Sequence, residues 1–99
     1  MVLVTLQEAV ELHKLIIERF GGGKGNRNLS ELVVTLESPY VTWDNQELYE
    51  TNLKKCCKIF ASVIQHHPFV DGNKRVGLAV FLLGLKKSGF DYKSLKDIW

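Results

Sequence analysis

The chain has 99 residues and a mass of 11.3 kDa, a length that fits a single domain spanning 1–99. With 45% hydrophobic and 24% charged residues, its composition is that of an ordinary globular protein, which excludes the disordered and fibrous classes. The formal net charge is only +2, so we expect neither direct nucleic-acid binding nor attachment to an anionic membrane.

Cysteine usage and hydropathy predict a cytoplasmic chain. The two cysteines, Cys56 and Cys57, are adjacent and match neither a disulfide framework nor CxxC metal spacing. The most apolar run, Val76 to Leu85, is far shorter than the roughly 20 residues that cross a bilayer. Acidic residues interrupt the first twenty positions, which argues against a signal peptide. We therefore predict a reducing environment and no membrane partner.

Apolar periodicity predicts a first helix over residues 6–20. The sequence TLQE before it matches a capping box, and three glycines at 21–23 are expected to end it. Residues 24–27 then predict a mobile polar loop, and Ser30 is expected to cap a short second helix that ends near Glu37.

The segment 38–46, SPYVTWDNQ, combines a proline, several β-forming residues and a turn-prone Asp-Asn pair. It predicts an extended flap or short hairpin. The β-forming residues are Tyr40, Val41, Thr42 and Trp43.

The clearest amphipathic pattern predicts a third helix over residues 47–65, which His67-Pro68 ends because a residue before proline avoids the α region. Its apolar residues are expected to face inward and three lysines outward. The inward set is Leu48, Leu53, Cys56, Cys57, Phe60, Ala61, Val63 and Ile64, and the outward set is Lys54, Lys55 and Lys58.

A fourth helix is predicted from Asn73 to about Lys87, with apolar residues over most of its circumference, as in a central and nearly fully buried helix. Gly77 and Gly84 lie on one of its faces and predict the close approach of a neighbouring backbone. Residues 94–99 predict the first turn of one more helix. Because no second strand run, repeat or linker occurs, the predicted architecture is an all-α bundle with one irregular flap.

Chemistry-bearing residues are concentrated in HPFVDGNKR, residues 67–75, where a loop enters the fourth helix. A helix N-terminus preceded by a glycine offers unpaired amides and the positive end of the dipole, which together bind phosphate. Arg75 adds a bidentate fork for phosphate oxygens, Lys74 a mobile positive charge, and Asn73 a donor.

The remaining residues of this segment predict catalysis and loop anchoring. Asp71 could hold Mg²⁺ against phosphates, because hard cations take carboxylate and phosphate oxygens together. His67 could deprotonate an attacking hydroxyl near neutral pH. Phe69 alternates in the loop with the polar residues His67 and Asp71 and is expected to anchor the loop in the core.

Structural interpretations of the same residues stay open. Asp-Gly-Asn is also a common turn and helix cap, so taken alone it fits a structural role as well as a catalytic one. Lys74 and Arg75 could be solvated charges, although two cations in a first helical turn oppose the dipole and favour a nearby anion. Zinc binding by His66 and His67 is disfavoured, because adjacent side chains diverge and the remaining histidine, His13, lies in the first helix.

This segment resembles the active-site motif of the Fic/Doc (Fido) superfamily, HxFx(D/E)(A/G)NxR, and is most similar to the Doc, or death-on-curing, branch, where Lys follows Asn. Further similarity covers ELHKLIIERFGG, SELV, TWDNQELY and FLLGLKKSGF, nearly the whole chain. The resemblance implies a Fido-type helical bundle with a short extended flap. Family members commonly continue with another helix beyond Trp99, which leaves open whether this form is C-terminally truncated and lacks the last helix.

The resemblance also implies ATP-dependent transfer to a hydroxyl side chain of a protein target. Fic enzymes generally transfer AMP, whereas Doc-type toxins transfer the γ-phosphate and silence translation elongation factor Tu. Here Lys74 replaces the second Gly of the Fic motif and Leu78 its second Arg, which argues for phosphorylation over AMPylation.

Carried over residue by residue, the resemblance implies distinct roles for the matched positions and for the flap. His67 would be the base, Asp71 the Mg²⁺ ligand and Phe69 the structural anchor. The flap would dock the target by strand-like pairing. The phosphate site would consist of Gly72, Asn73, Lys74 and Arg75, and the flap of Tyr40, Val41, Thr42 and Trp43.

Regulation is expected to come from outside this chain. Self-inhibited Fic proteins carry (S/T)xxxE(G/N), and no Ser or Thr of these 99 residues has Glu four positions later. The resemblance therefore implies an antitoxin protein acting in trans, within a toxin–antitoxin system. Two alternatives remain: an inactive module that binds nucleotide or antitoxin, and a small helical DNA-binding protein, which the lack of a basic recognition face disfavours.

Overall fold

A computed structural model describes residues 3–25 and 29–89, which fold mainly into helices. A 3₁₀ turn, Ser38–Tyr40, and an antiparallel hairpin join the second helix to the third. The prediction of an all-α bundle with a short flap is confirmed, while the predicted turn at 94–99 lies outside the described residues. The α-helices of the described part are α1 (Leu6–Phe20), α2 (Leu29–Glu37), α3 (Asn52–His66) and α4 (Asn73–Lys87), and the strands are β1 (Thr42–Trp43) and β2 (Gln46–Glu47).

The ends of α1 are fixed by its own sequence. The Thr5 hydroxyl accepts a hydrogen bond from the Glu8 amide (3.2 Å), and the Glu8 carboxylate accepts one from the Thr5 amide (3.0 Å), which completes the predicted capping box. Gly21 ends the helix at φ 81°. Ser30, in contrast, lies in the first turn of α2 and not at its cap, because α2 begins at Leu29.

One apolar core lies between the helices. α3 packs most extensively against α4, while α1 packs on α4 and α2 packs on α3. Among the described residues, no helix is long and apolar enough to cross a membrane. The buried core residues are Leu3, Val4, Ala9, Leu32, Leu36, Cys56, Ile59, Val63, Phe69, Val76, Val80 and Leu85.

Two glycines of α4 allow α3 to approach closely, although side chains of α3, and not its backbone, fill the space. A Cβ at Gly84 would lie 2.8 Å from the Cys56 Sγ, and one at Gly77 would lie 3.4 Å from Val63. Burial raises the pKa of the Cys56 thiol to about 11, so this sulfur is neutral and acts as a small apolar group. Cys57 is exposed, and both thiols are free.

The prediction for α3 is wrong at its start and on part of its buried face. The helix begins at Asn52 because the Thr51 hydroxyl accepts from the Lys54 amide (3.1 Å), while Glu47 belongs to β2. Its buried residues are Lys55, Cys56, Ile59, Ser62 and Val63. The predicted inward residues that are exposed are Leu48, Leu53, Cys57, Phe60 and Ala61.

The prediction that α4 is nearly fully buried is also wrong within the described part of the chain. α1 and α3 cover one side of it. The buried residues of α4 are Val76, Gly77, Val80, Gly84 and Leu85. The residues that were predicted to be buried but are only partly buried are Ala79, Phe81, Leu82 and Leu83.

The predicted flap is a short hairpin preceded by a helical turn. Thr42 pairs with Glu47 and Trp43 pairs with Gln46. Asp44 and Asn45 form the turn with φ values of 52° and 61°, as a type I′ hairpin turn requires. Tyr40 was expected in the extended part. It lies instead in the 3₁₀ turn, where Pro39 favours a helical start, and its hydroxyl accepts a hydrogen bond from the Leu3 amide.

Candidate active site

The motif loop, residues 67–72, joins the C-terminus of α3 to the N-terminus of α4. His67 caps α3 with φ 45° and ψ 59°, and its amide donates to the Val63 carbonyl (3.1 Å). A left-handed conformation costs a non-glycine residue about 1 kcal/mol, and it turns the chain sharply before Pro68. The His67 side chain is exposed, so its imidazole is available to a ligand.

Phe69 and Asn73 fix the centre of the motif loop from beneath. Phe69 is buried, with 1% of its surface exposed. The Asn73 side chain accepts from the Phe69 amide through Oδ1 (3.1 Å) and donates to the Phe69 carbonyl through Nδ2 (3.0 Å). These paired bonds close the loop onto the first turn of α4. Of the predicted phosphate donors, Asn73 therefore retains one amide hydrogen for a ligand.

His13, from the buried face of α1, supports the same loop from a second side. Its ring stacks on Phe69 with the centroids 4.0 Å apart. Its Nε2 donates to the backbone carbonyl of Asp71 at 2.8 Å. Sequence reasoning missed this role, although His13 continues the buried row of Ala9 and Ile17 at helical spacing.

The glycine loop, residues 21–25, includes the first two residues of the segment 24–27 that was predicted to be a mobile polar loop, and it hydrogen-bonds to the motif loop. The Gly25 carbonyl accepts from the Val70 amide (3.1 Å). The Gly23 amide donates to the Asp71 Oδ2 (3.3 Å), and a Cβ at Gly22 would lie only 2.8 Å from that oxygen. The absence of side chains thus lets the loop lie directly against the carboxylate.

Asp71 is exposed, and its carboxylate is oriented by backbone amides. In addition to the bond from Gly23, Oδ1 accepts from the Gly72 amide (2.9 Å). Each carboxylate oxygen can accept a second interaction, so both retain capacity for a cation. Within the described ranges, no group of three or more His, Cys, Asp or Glu side chains could hold a metal. A single oriented carboxylate suits Mg²⁺, which takes one or two carboxylates together with substrate phosphates, and does not suit zinc.

The N-terminus of α4 is open to an anion. Gly72 occupies the cap position at φ 76° and provides no side-chain acceptor for the first-turn amides. Lys74 and Arg75 are exposed, and the Arg75 guanidinium lies 4.4 Å from the ring centroid of Phe20, which orients it by a cation–π contact. Phe20 is the second positioning residue that sequence reasoning missed.

These groups surround one open depression with a volume of about 570 Å³. The predicted base, metal ligand and phosphate residues line it together, while Phe69 lies in the core. The lining residues are His67, Val70, Asp71, Gly72, Asn73, Lys74 and Arg75. The arrangement can bind an anion at a helix terminus beside an exposed imidazole and an oriented carboxylate.

The flap residues lie outside this lining. Trp43 is 77% exposed and Val41 is 43% exposed, and all strand residues of the hairpin are exposed. Tyr40, in contrast, is partly buried against the core. The structure therefore separates a depression with chemical groups from an exposed strand surface.

Comparison with known proteins gives a family match. A sequence model described as the Fic/DOC family matches residues 3–85, which is most of the chain. No curated protein and no solved structure gives a significant match.

Proposed function

This chain belongs to the Fic/DOC family, whose members are typically transferases, and on that premise we propose that it transfers the γ-phosphoryl group of ATP to a hydroxyl side chain of a protein target. The observation that supports this most directly is the exposed imidazole of His67 beside an uncapped helix N-terminus that carries Lys74 and Arg75. The imidazole would provide a base, and the helix N-terminus would provide a phosphate site, in the same depression.

Phosphate binding would fall to the first turn of α4. Its amides and its dipole attract a polyphosphate, and Arg75 supplies a planar fork held by Phe20. Lys74 adds a second positive charge. Asp71 would hold Mg²⁺, which neutralises phosphate charge when it is bound.

His67 would act on the acceptor. Its imidazole would take the proton of the target hydroxyl as the oxygen forms a bond to the γ-phosphorus. The bond from that phosphorus to the bridging oxygen breaks, and ADP leaves with the electron pair. His13 and Phe69 would hold the loop in place during transfer without contacting the substrate. Asn73 would also hold the loop, and its remaining amide hydrogen would be available to the phosphates.

Two positions of the sequence favour transfer of the γ-phosphoryl group over transfer of AMP. Lys74 stands where the Fic motif has its second glycine, and Leu78, half-buried on α4, stands where that motif has its second arginine. A guanidinium is a strong phosphate ligand that an isobutyl group cannot replace. The alternative, adenylyl transfer, would appear as label from the α position of ATP.

The target would dock on the hairpin. Both strands are exposed, and a two-stranded sheet leaves an edge on each side where an extended segment can pair. Translation elongation factor Tu is the target that the Doc resemblance favours. The same resemblance supports a toxin that an antitoxin restrains in trans.

The test is incubation of purified chain and elongation factor Tu with ATP labelled at either the γ or the α position. We expect γ-label on the target. The variant His67→Ala lacks the proposed base, so its rate of label transfer should be roughly 10²–10⁴-fold lower than that of wild type. His66→Ala is the matched control, because the half-buried neighbouring imidazole faces Glu31 at 3.5 Å and not the depression. The proposal fails if the wild-type chain transfers no γ-label or if His67→Ala is as active as wild type. Retention of nucleotide binding alone would identify an inactive binding module.

A further inference from the structure

Lys55 is a buried lysine on a helix face where the sequence predicts an exposed one. Only 6% of its surface is exposed. An unpaired ammonium is costly to bury, so lysines in such positions are paired with specific acceptors. The partners of Lys55 therefore indicate what its burial achieves.

Both partners of the Lys55 ammonium lie at the end of the hairpin. Its Nζ donates to the Tyr49 carbonyl at 2.6 Å and pairs with the Glu47 Oε1 at 3.2 Å. Glu47 is the last residue of β2, and Tyr49 lies between β2 and α3. One turn further along α3, the Lys58 ammonium lies 5.8 Å from the Tyr49 ring centroid. Two consecutive turns of the helix thus contact the same connecting segment.

The hairpin has little else to hold it. Its two residue pairs bury no strand side chain, and an isolated two-stranded hairpin is marginally stable in water. The bond from the Leu48 amide to the Val41 carbonyl (3.2 Å) closes the hairpin on itself. Within residues 3–25 and 29–89, the hydrogen bonds and ion pairs that join segment 42–49 to a helix are those of Lys55.

The same helix ends at the proposed base. From Lys55 to His67 is twelve residues, or about 18 Å at the rise of an α-helix. Between these two residues α3 packs on α4, with Cys56 against Gly84 and Val63 against Gly77, so α3 links the hairpin to the motif loop as a rigid element.

We propose that Lys55 is a positioning residue that holds the hairpin, through Glu47 and Tyr49, in a fixed orientation relative to His67 and thereby determines which acceptor segment of the protein target is presented for transfer. This inference rests on the proposed function, since it concerns the recognition of the protein acceptor at that site. Lys55 contacts neither ATP nor the reacting atoms in this scheme.

Two measurements on Lys55→Met test the proposal. The substitution keeps an unbranched apolar stem but removes the ammonium, and hydrogen exchange of the amides in 41–49 should accelerate about tenfold as the charge-assisted bonds are lost. In steady-state transfer assays the KM for the protein target should rise about tenfold by the same argument, while kcat and the KM for ATP stay within about twofold. Lys54→Met, at the exposed neighbouring position, is the control and should match wild type in both measurements.

Glu47→Gln provides a second variant on the exposed hairpin, where loss of global folding is not expected. It weakens the ion pair but leaves the Tyr49 carbonyl, so its effects should be in the same direction and smaller. Hydrogen exchange of Lys55→Met equal to that of wild type would overturn the proposal, as would a loosened hairpin with an unchanged KM for the target. If the wild-type chain transfers nothing, the proposed function is rejected, and the exchange data still decide whether Lys55 holds the hairpin.

Discussion

The motif loop and the hairpin flank the same helix, α3, but different kinds of contact hold them. The motif loop is fixed from the core side by buried Phe69, by His13 from α1 and by the Asn73 side chain. The hairpin exposes every strand residue and is joined to α3 through Lys55. In the proposed function, the groups that would meet a reacting atom are thus held by the core, while the surface proposed to bind a protein partner is exposed.

The difference in how the two regions are held matches the roles proposed for them. A base and a phosphate site need side chains held within a fraction of an ångström of a productive position, which buried supporting contacts supply. A strand that pairs with an extended partner needs free backbone groups and gains its final order on binding. We therefore expect core substitutions to affect the motif loop strongly and hairpin substitutions to leave stability nearly unchanged.

The largest expected effect comes from replacing one aromatic residue in each region. Phe69→Ala removes a fully buried ring and should lower the free energy of unfolding by about 3–5 kcal/mol. Trp43→Ala removes a larger ring that is 77% exposed and should change it by less than about 0.5 kcal/mol. Urea unfolding followed by circular dichroism measures both. Equal destabilisation by the two variants would contradict the division between a core-held loop and an exposed hairpin.

A smaller effect should separate packing from backbone strain at the start of α4. Gly72→Ala places a methyl group at φ 76°, with Ile17 3.3 Å away, whereas Gly89→Ala places one at φ 89° with nothing within 4 Å. In both variants the free energy of unfolding should fall by about 1–2 kcal/mol, because alanine disfavours the left-handed region. In Gly72→Ala it should fall by about 1 kcal/mol more, because the methyl group crowds α1.

Urea unfolding of the two glycine variants provides the comparison. If Gly72→Ala is no less stable than Gly89→Ala, α1 does not pack tightly under the motif loop. That result would also weaken the role assigned to His13, which lies 4.0 Å from the same added methyl group.

Much of the candidate site could be predicted from the sequence because its residues are contiguous. One turn entering one helix brings His67, Asp71 and Arg75 together whatever the rest of the chain does. The supporting residues could not be predicted in this way. His13 lies 58 positions from Asp71, and only the packing of α1 brings its ring to the Asp71 carbonyl.

The fold shows the same limit at α3. Periodicity correctly predicted a helix there, but Leu48 fits the apolar pattern and placed its start at residue 47. The side-chain cap from Thr51 and the pairing of the hairpin decide the actual start at Asn52. Burial of Lys55 depends on a backbone carbonyl, that of Tyr49, which no residue pattern encodes.

The smallest expected effect concerns a charge pair that joins α1 to the C-terminal end of α4, the end opposite the motif loop. The Lys87 ammonium donates to the Glu8 carboxylate, and this bond, with the bond from the Thr5 amide, lowers the pKa of Glu8 from its ordinary value of 4.5. A lowered folded-state pKa stabilises the fold above the unfolded pKa, and this stabilisation is lost as the pH falls through the folded pKa. Because the pair is partly exposed, we expect it to contribute less than about 1 kcal/mol to the free energy of unfolding.

Urea unfolding measured between pH 7 and pH 3 tests this contribution. The stability of Glu8→Gln should depend on acid less than that of wild type, while Glu11→Gln, on an exposed face of α1, should keep the acid dependence of wild type. If the acid dependence of Glu8→Gln equals that of wild type, the Glu8–Lys87 pair contributes no measurable stability, and the apolar residues of α1 in the core account for its attachment to the rest of the fold.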